Sequence, residues 1–124
     1  MDEKSKRNGM VLIVDDEQRI LRFLNISLKV SGYRVITAET GEKALELARL
    51  AKPDIVVLDV FLPGIDGFMV LQKLRTFSEA PVIMISARDS LGPAALDQGA
   101  TDFLAKPFKP EQLVQRIKDI LGKS

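Results

Sequence analysis

The chain of 124 residues contains no cysteine and no histidine. Without cysteine there is no disulfide, no thiolate catalysis and no Cys-ligated zinc. Without histidine the commonest general base, the commonest metal ligand and any phosphohistidine role are gone. Chemistry must therefore rest on carboxylates, hydroxyls, lysine, arginine or backbone. Oxygen ligands alone favour a hard cation such as Mg²⁺. No apolar run approaches the roughly 20 residues of a membrane span. Met1 to Gly9 are polar and carry no signal-peptide core, so a cytoplasmic location is expected by default. Net charge is +1, which gives no whole-domain attraction to nucleic acid or anionic membrane.

What is present suits one soluble α/β domain. Hydrophobic residues make up 46% and charged residues 28%, ordinary for a globular protein. A chain this long buries roughly two-thirds of its unfolded surface, so its core needs no covalent staples. The basic start, with Lys4, Lys6 and Arg7, reads as a frayed tail over residues 1–9.

Short apolar runs alternate with amphipathic stretches. Strands are expected at Met10–Val14, Arg34–Ala38, Ile55–Leu58, Val82–Ile85 and Asp102–Leu104. The first, third and fourth are nearly continuous apolar runs, as in strands covered on both faces. The second carries Arg34 and Thr37 and reads as an edge. Helices are expected at Glu17–Ser31, Gly41–Ala51 after the cap Thr40, Gly67–Phe77 after the cap Asp66, and Pro110–Leu121. Between Ser86 and Gly99, Gly92-Pro93 breaks any helix begun at Asp89, leaving one short helix near Pro93–Gln98. Five β-α units imply a parallel sheet with right-handed crossovers and helices on both faces.

In such a sheet the strand C-termini share one edge, where ligands bind. Asp15 and Asp16 follow the first strand, Asp59 the third, Ser86 the fourth and Lys106 the fifth. Capping explains one aspartate of Asp15-Asp16, but not two beside Glu17. Asp59 is not a cap, because the next helix starts only near Asp66. A carboxylate there is a candidate metal ligand, nucleophile or both. Three acids in one crevice need a cation or a shared proton. Lys106, framed by Phe103-Leu104-Ala105 and Pro107-Phe108, offers a point charge for a carboxylate and then a phosphoryl oxygen. A cis bond before Pro107 would aim that amine at the pocket. Ser86 is a turn group or a donor to phosphoryl oxygen, with the small Ala87 leaving the site open. Phe103 by itself reads as core.

The set Asp15-Asp16, Asp59, Ser86 and Lys106-Pro107 resembles the receiver domain of bacterial response regulators, of the chemotaxis-Y type. So do Pro63-x-x-Asp66-Gly67 and the segment Gly99 to Phe108. The resemblance spans residues 10–122 and implies a flavodoxin-like, doubly wound sheet of order 2-1-3-4-5 with five helices, the fourth shortened. It implies that Asp59 accepts a phosphoryl group from a histidine kinase or another phosphorelay donor, with self-catalysed transfer and autodephosphorylation. Asp16, Asp59 and the Phe61 carbonyl would ligate Mg²⁺ directly, and Asp15 through water. Lys106 would bond the phosphoryl group, and Ser86 and Phe103 would be the switch pair. Ala87, Arg88 and Pro107 would line the site. Partners implied are the kinase or phosphotransfer protein, and an output domain or second copy on the helix 4/strand 5/helix 5 face. Direct nucleic-acid binding by this domain is not expected.

Three features depart from the family pattern. Phe61 is apolar where many relatives are polar, and is expected to shield the acyl phosphate from water. Arg88 is left open as a partner of phosphate or of solvent. The stretch from Ser86 to Lys106 is a little short, around Gly92-Pro93. The alternatives are a phosphorylation-independent pseudo-receiver and a flavodoxin-like cofactor binder or Mg²⁺ phosphohydrolase. Asp-Asp-Glu after the first strand repels flavin phosphate. The hydrolase pattern Asp-x-Asp is absent there.

Overall fold

A computed structural model describes residues 8–122. Five strands form one parallel sheet: β1 (Met10–Val14), β2 (Arg34–Ala38), β3 (Ile55–Asp59), β4 (Val82–Ser86) and β5 (Asp102–Ala105), in the order β2-β1-β3-β4-β5. The helices are α1 (Gln18–Val30), α2 (Gly41–Ala51), α3 (Gly67–Leu74), α4 (Gly92–Asp97) and α5 (Pro110–Leu121). This is the flavodoxin-like arrangement expected from the sequence, with β2 at an edge.

Strand alternation divides the interior into two cores. Val11, Ile13, Ile55, Val57, Ile83, Ile85 and Leu104 pack with Leu21, Leu24 and Leu28 of α1 and Leu113 and Ile117 of α5. Leu12, Val14, Val56, Leu58, Val82 and Met84 pack on the other face with Ala44 and Ala48 of α2, Val70, Leu71 and Leu74 of α3, and Ala95 of α4. Every residue of β3 and β4 is buried, as their apolar runs require.

Local signals set the boundaries. Thr40 Oγ1 accepts the Lys43 amide (3.1 Å) and Asp66 Oδ1 the Met69 amide (2.9 Å), capping α2 and α3. Helix α3 ends at Leu74, three residues before the expected Phe77. There the Thr76 and Phe77 amides turn to the i−3 carbonyls of Lys73 and Leu74. Asp89–Leu91 form a 3₁₀ turn, and α4 has six residues, so the fourth helix is short as expected. Strands β3, β4 and β5 each run one residue further than expected, to Asp59, Ser86 and Ala105, because those residues still pair: Asp59 with Ile85, and Ser86 with Ala105.

Most of the expected tail, residues 1–7, lies outside the described residues. Asn8 donates through Nδ2 to the Ser31 carbonyl (3.1 Å), and the Arg34 amide donates to the Gly9 carbonyl (2.9 Å).

Candidate functional site

The C-terminal ends of β1, β3, β4 and β5 bring their polar residues to one edge. The Asp15 amide donates to the Ala38 carbonyl (3.1 Å), continuing the β1–β2 ladder and fixing the acid turn. Asp15 is fully buried, Asp59 nearly so, and Asp16 is exposed. Each of the three offers a carboxylate oxygen within 4.8 Å of the others.

Lys106 ties the acids together. Its Nζ stands 2.9 Å from Asp59 Oδ2, 2.9 Å from Asp15 Oδ2 and 3.4 Å from Glu17 Oε1. Its backbone amide donates to the Ser86 carbonyl (2.8 Å), extending the β4–β5 ladder to the lysine itself. The Lys106–Pro107 peptide bond is cis, and the amine lies in the acid pocket.

Burial pushes the Asp59 carboxyl up to about 6, and the Asp15 charge adds to the rise. The hydrogen bond and charge of Lys106 and the Phe61 amide oppose it. Burial by itself would lower Lys106, but Asp15 and Asp59 outweigh it and hold the ammonium above its usual range. The pocket thus keeps one cation among several acids and lacks charge to balance them all.

Asp15 Oδ1 accepts the Glu17 amide (3.0 Å). Its buried Oδ2 is held by the Lys106 ammonium alone, at 2.9 Å. Three carboxylates with oxygens within 4.8 Å of one another and a single ammonium between them fit a hard divalent cation. Phe61 contributes its amide, which donates to Asp59 Oδ1 (3.2 Å).

Ser86 is fully buried, and its Oγ accepts the Arg88 amide (3.0 Å). The Arg88 guanidinium carbon lies 5.4 Å from the centroid of the half-exposed Phe61 ring. Arg88 therefore holds Ser86 by its backbone and Phe61 by its side chain. Ala87 and Pro107 are exposed beside it. Phe103 is partly buried and packs in the core that includes Ala95 of α4.

Asp15, Asp16, Asp59 and Lys106 meet at this edge; Ser86 ends the neighbouring strand β4, and Phe103 stands in β5 against the core under α4. Glu17 was missed as a partner of Lys106. It reads as one more acid in a crowded turn, and its only signal is adjacency to Asp16 at the start of α1. Also missed was the pair of Arg116 Nη1 with Asp102 Oδ2 (2.8 Å), which joins α5 to β5.

The family model "Response regulator receiver domain" matches residues 11–118. The alkaline phosphatase synthesis transcriptional regulatory protein PhoP of Bacillus subtilis is 44% identical over 123 residues, 94% of this chain and 50% of that protein. The transcriptional regulatory protein KdpE of Mycobacterium tuberculosis is 49% identical over 111 residues, 88% of this chain and 49% of that protein. The chain spans about half the length of the curated relatives it matches. Among solved structures, the receiver domain of Francisella response regulator 1452 superposes with a TM-score of 0.88 at 30% identity, covering 93% of this chain and 98% of that one. The chemotaxis response regulator CheY4 of Vibrio cholerae superposes with a TM-score of 0.85 at 33% identity, covering 91% and 98%. The strand order, the acid edge and the family match agree, and the chain belongs to the response regulator receiver domain family.

Proposed function

We propose that this chain is a phosphoacceptor switch in which the Asp59 carboxylate takes a phosphoryl group. The observation that carries the reading is Lys106 Nζ held between Asp15 and Asp59, within a cluster of three carboxylates. A carboxylate oxygen of Asp59 attacks phosphorus, an O–P bond forms, and the bond from phosphorus to the donor's nitrogen or acyl oxygen breaks. The ionised form is the nucleophile, so Asp59 acts above its raised titration point, near 6.

Asp15, Asp16 and Asp59, with the Phe61 carbonyl, would hold Mg²⁺. When bound, the ion supplies charge neutralisation for the crowded acids and the transferring oxygens. Lys106 then exchanges a carboxylate contact for a phosphoryl oxygen, keeping one charge-assisted bond throughout. Ser86 Oγ, which accepts the Arg88 amide, would donate its proton to phosphoryl oxygen. Phe103 is the aromatic partner of that movement. Ala87, Arg88 and Pro107 line the mouth, and Phe61 limits water.

Donors of matching chemistry are the phosphohistidine of a sensor kinase, a phosphotransfer protein and small acyl phosphates. The relatives PhoP and KdpE are named as transcriptional regulatory proteins, which favours an output that controls transcription. The reader of the state would dock on the α4/β5/α5 face, as an output domain or a second copy. Among the described residues no helix is long and apolar enough to cross a membrane, in keeping with a cytoplasmic pathway.

The test is incubation with Mg²⁺ and acetyl phosphate, followed by intact mass. One phosphate adduct on wild type and none on Asp59→Asn is expected. No adduct on wild type would favour a phosphorylation-independent interaction module. An adduct retained by the variant would defeat the assignment to Asp59.

A further inference from the structure

Gly92 opens α4 with φ −53° and ψ −51°, angles any residue adopts in a helix. Glycine is unfavourable there, so backbone conformation does not explain it. The space does. A Cβ on Gly92 would stand 3.2 Å from Phe103 Cδ2, tighter than ordinary van der Waals contact, and 3.6 Å from Cγ, within ordinary contact. The Phe103 ring rests on the bare Cα of Gly92.

The backbone beneath that ring is pinned. The Phe103 amide donates to Asp102 Oδ1 (2.8 Å), and Arg116 Nη1 donates to the Phe103 carbonyl (3.3 Å) and to Asp102 Oδ2. The side-chain torsions are what remain to move. In the β4–β5 register Phe103 pairs with Met84, and Ser86 with Ala105. By strand alternation Ser86, Phe103 and Ala105 share one face of the sheet. Ser86 is paired on that face with the small Ala105, whose methyl leaves the ring of Phe103, two residues before it, the larger neighbour.

We propose that Gly92 is a positioning residue for Phe103: it is the seat that holds the ring off Ser86 until Asp59 is phosphorylated, and through it the first turn of α4 senses the ring. The inference deepens the phosphoacceptor reading and rests on it for its trigger. The seat itself exists without phosphate. Adding a methyl at position 92 crowds the seated ring and shifts the population toward the swung one.

The test uses the full chain labelled with fluorophenylalanine, the Phe103 signal being assigned by its loss in Phe103→Leu. In Gly92→Ala without phosphodonor, the Phe103 ¹⁹F signal is expected to move from its wild-type position toward the position wild type reaches with Mg²⁺ and acetyl phosphate. Adduct formation from acetyl phosphate should quicken several-fold. In the Phe103→Ala background, Gly92→Ala should leave that rate unchanged, because no ring remains to crowd. A Phe103 signal unmoved in folded Gly92→Ala would overturn the proposal, as would a rate effect that persists without the ring. Should Gly92→Ala fail to fold, recovery of folding in Gly92→Ala/Phe103→Ala supports the seat, and failure of both overturns it. If wild type takes no phosphate, the phosphoacceptor reading falls, and with it the trigger. The seat is then judged by whether Gly92→Ala moves the unphosphorylated signal.

Discussion

The carbonyl oxygen of Asp59 occupies the space that a side chain on Gly67 would need. A Cβ there would lie 2.3 Å from that oxygen and 2.8 Å from the Val60 Cα. The Gly67 amide in turn donates to the Val60 carbonyl (2.7 Å). The first residue of α3 is thus pressed against the strand end that carries Asp59.

Gly67→Ala is therefore expected to destabilise the fold by about 3 kcal/mol or more, since backbone rather than a flexible side chain must yield. Urea unfolding measures this. A loss below about 0.5 kcal/mol would show that the β3–α3 loop shifts freely, and that Asp59 is not placed by this contact.

Asp59 makes metal-free stability depend on pH. Its carboxyl titrates near 6 in the folded chain and at its ordinary value, about 3.8, when unfolded. Between these values the folded state binds more protons, so the contribution of Asp59 is fully present below about pH 4 and is lost as pH rises through 6. The span corresponds to about 3 kcal/mol at most. The stability of wild type relative to Asp59→Asn should fall by about 1–3 kcal/mol from pH 4 to pH 7, and Mg²⁺ at pH 7 should restore part of it. A pH-independent difference would mean that Asp59 titrates normally.

Lys106→Met removes the cation and leaves Asp15 and Asp59 facing one another. At pH 8 without metal a loss of about 3 kcal/mol is expected, shrinking toward pH 5 as Asp59 takes up a proton. Mg²⁺ should bind the variant several-fold more tightly, because no ammonium competes for the acids. Calorimetric titration checks the second outcome, and weaker binding would mean that Lys106 orders the site instead of competing with the ion.

Phe61→Asn should shorten the phosphoryl lifetime several-fold by opening the pocket to water. Arg88→Ala should act in the same direction, because it frees the ring that the guanidinium covers. Following loss of the adduct by mass reads both, and an unchanged lifetime in Phe61→Asn would remove the shielding role.

Much of this site is legible in the chain because strand ends announce themselves. Met10–Val14 and Ile55–Leu58 are apolar to their last residues, so a carboxylate directly after them must lie at the sheet edge. Lys106 stands out because apolar residues frame it. Less legible was whatever depends on two side chains meeting across the fold. Glu17 meets Lys106 only because the lysine side chain extends across the strand ends from β5 to the start of α1. Gly92 reads as a helix breaker and does open α4 after the 3₁₀ turn, but the ring that meets its bare Cα is eleven residues away. The early end of α3 escaped notice because Arg75 to Phe77 continue the helical pattern. The Arg75 guanidinium instead holds the carbonyls of Ser78 and Ala80, turning the chain toward β4.

The two-core interior works as a bulkhead. Asp59 belongs to the alternation phase of Ile55 and Val57, facing α1 and α5, whereas Ser86 belongs to that of Val82 and Met84, facing α2, α3 and α4. The proposed phosphoacceptor lies in phase with one compartment, and the proposed switch serine in phase with the other. Repacking under α4 need not disturb the α1/α5 compartment. Leu71→Ala and Leu113→Ala, on opposite sides of the sheet, should accordingly add within about 0.5 kcal/mol in urea unfolding. A larger coupling would mean that the wall between the compartments leaks.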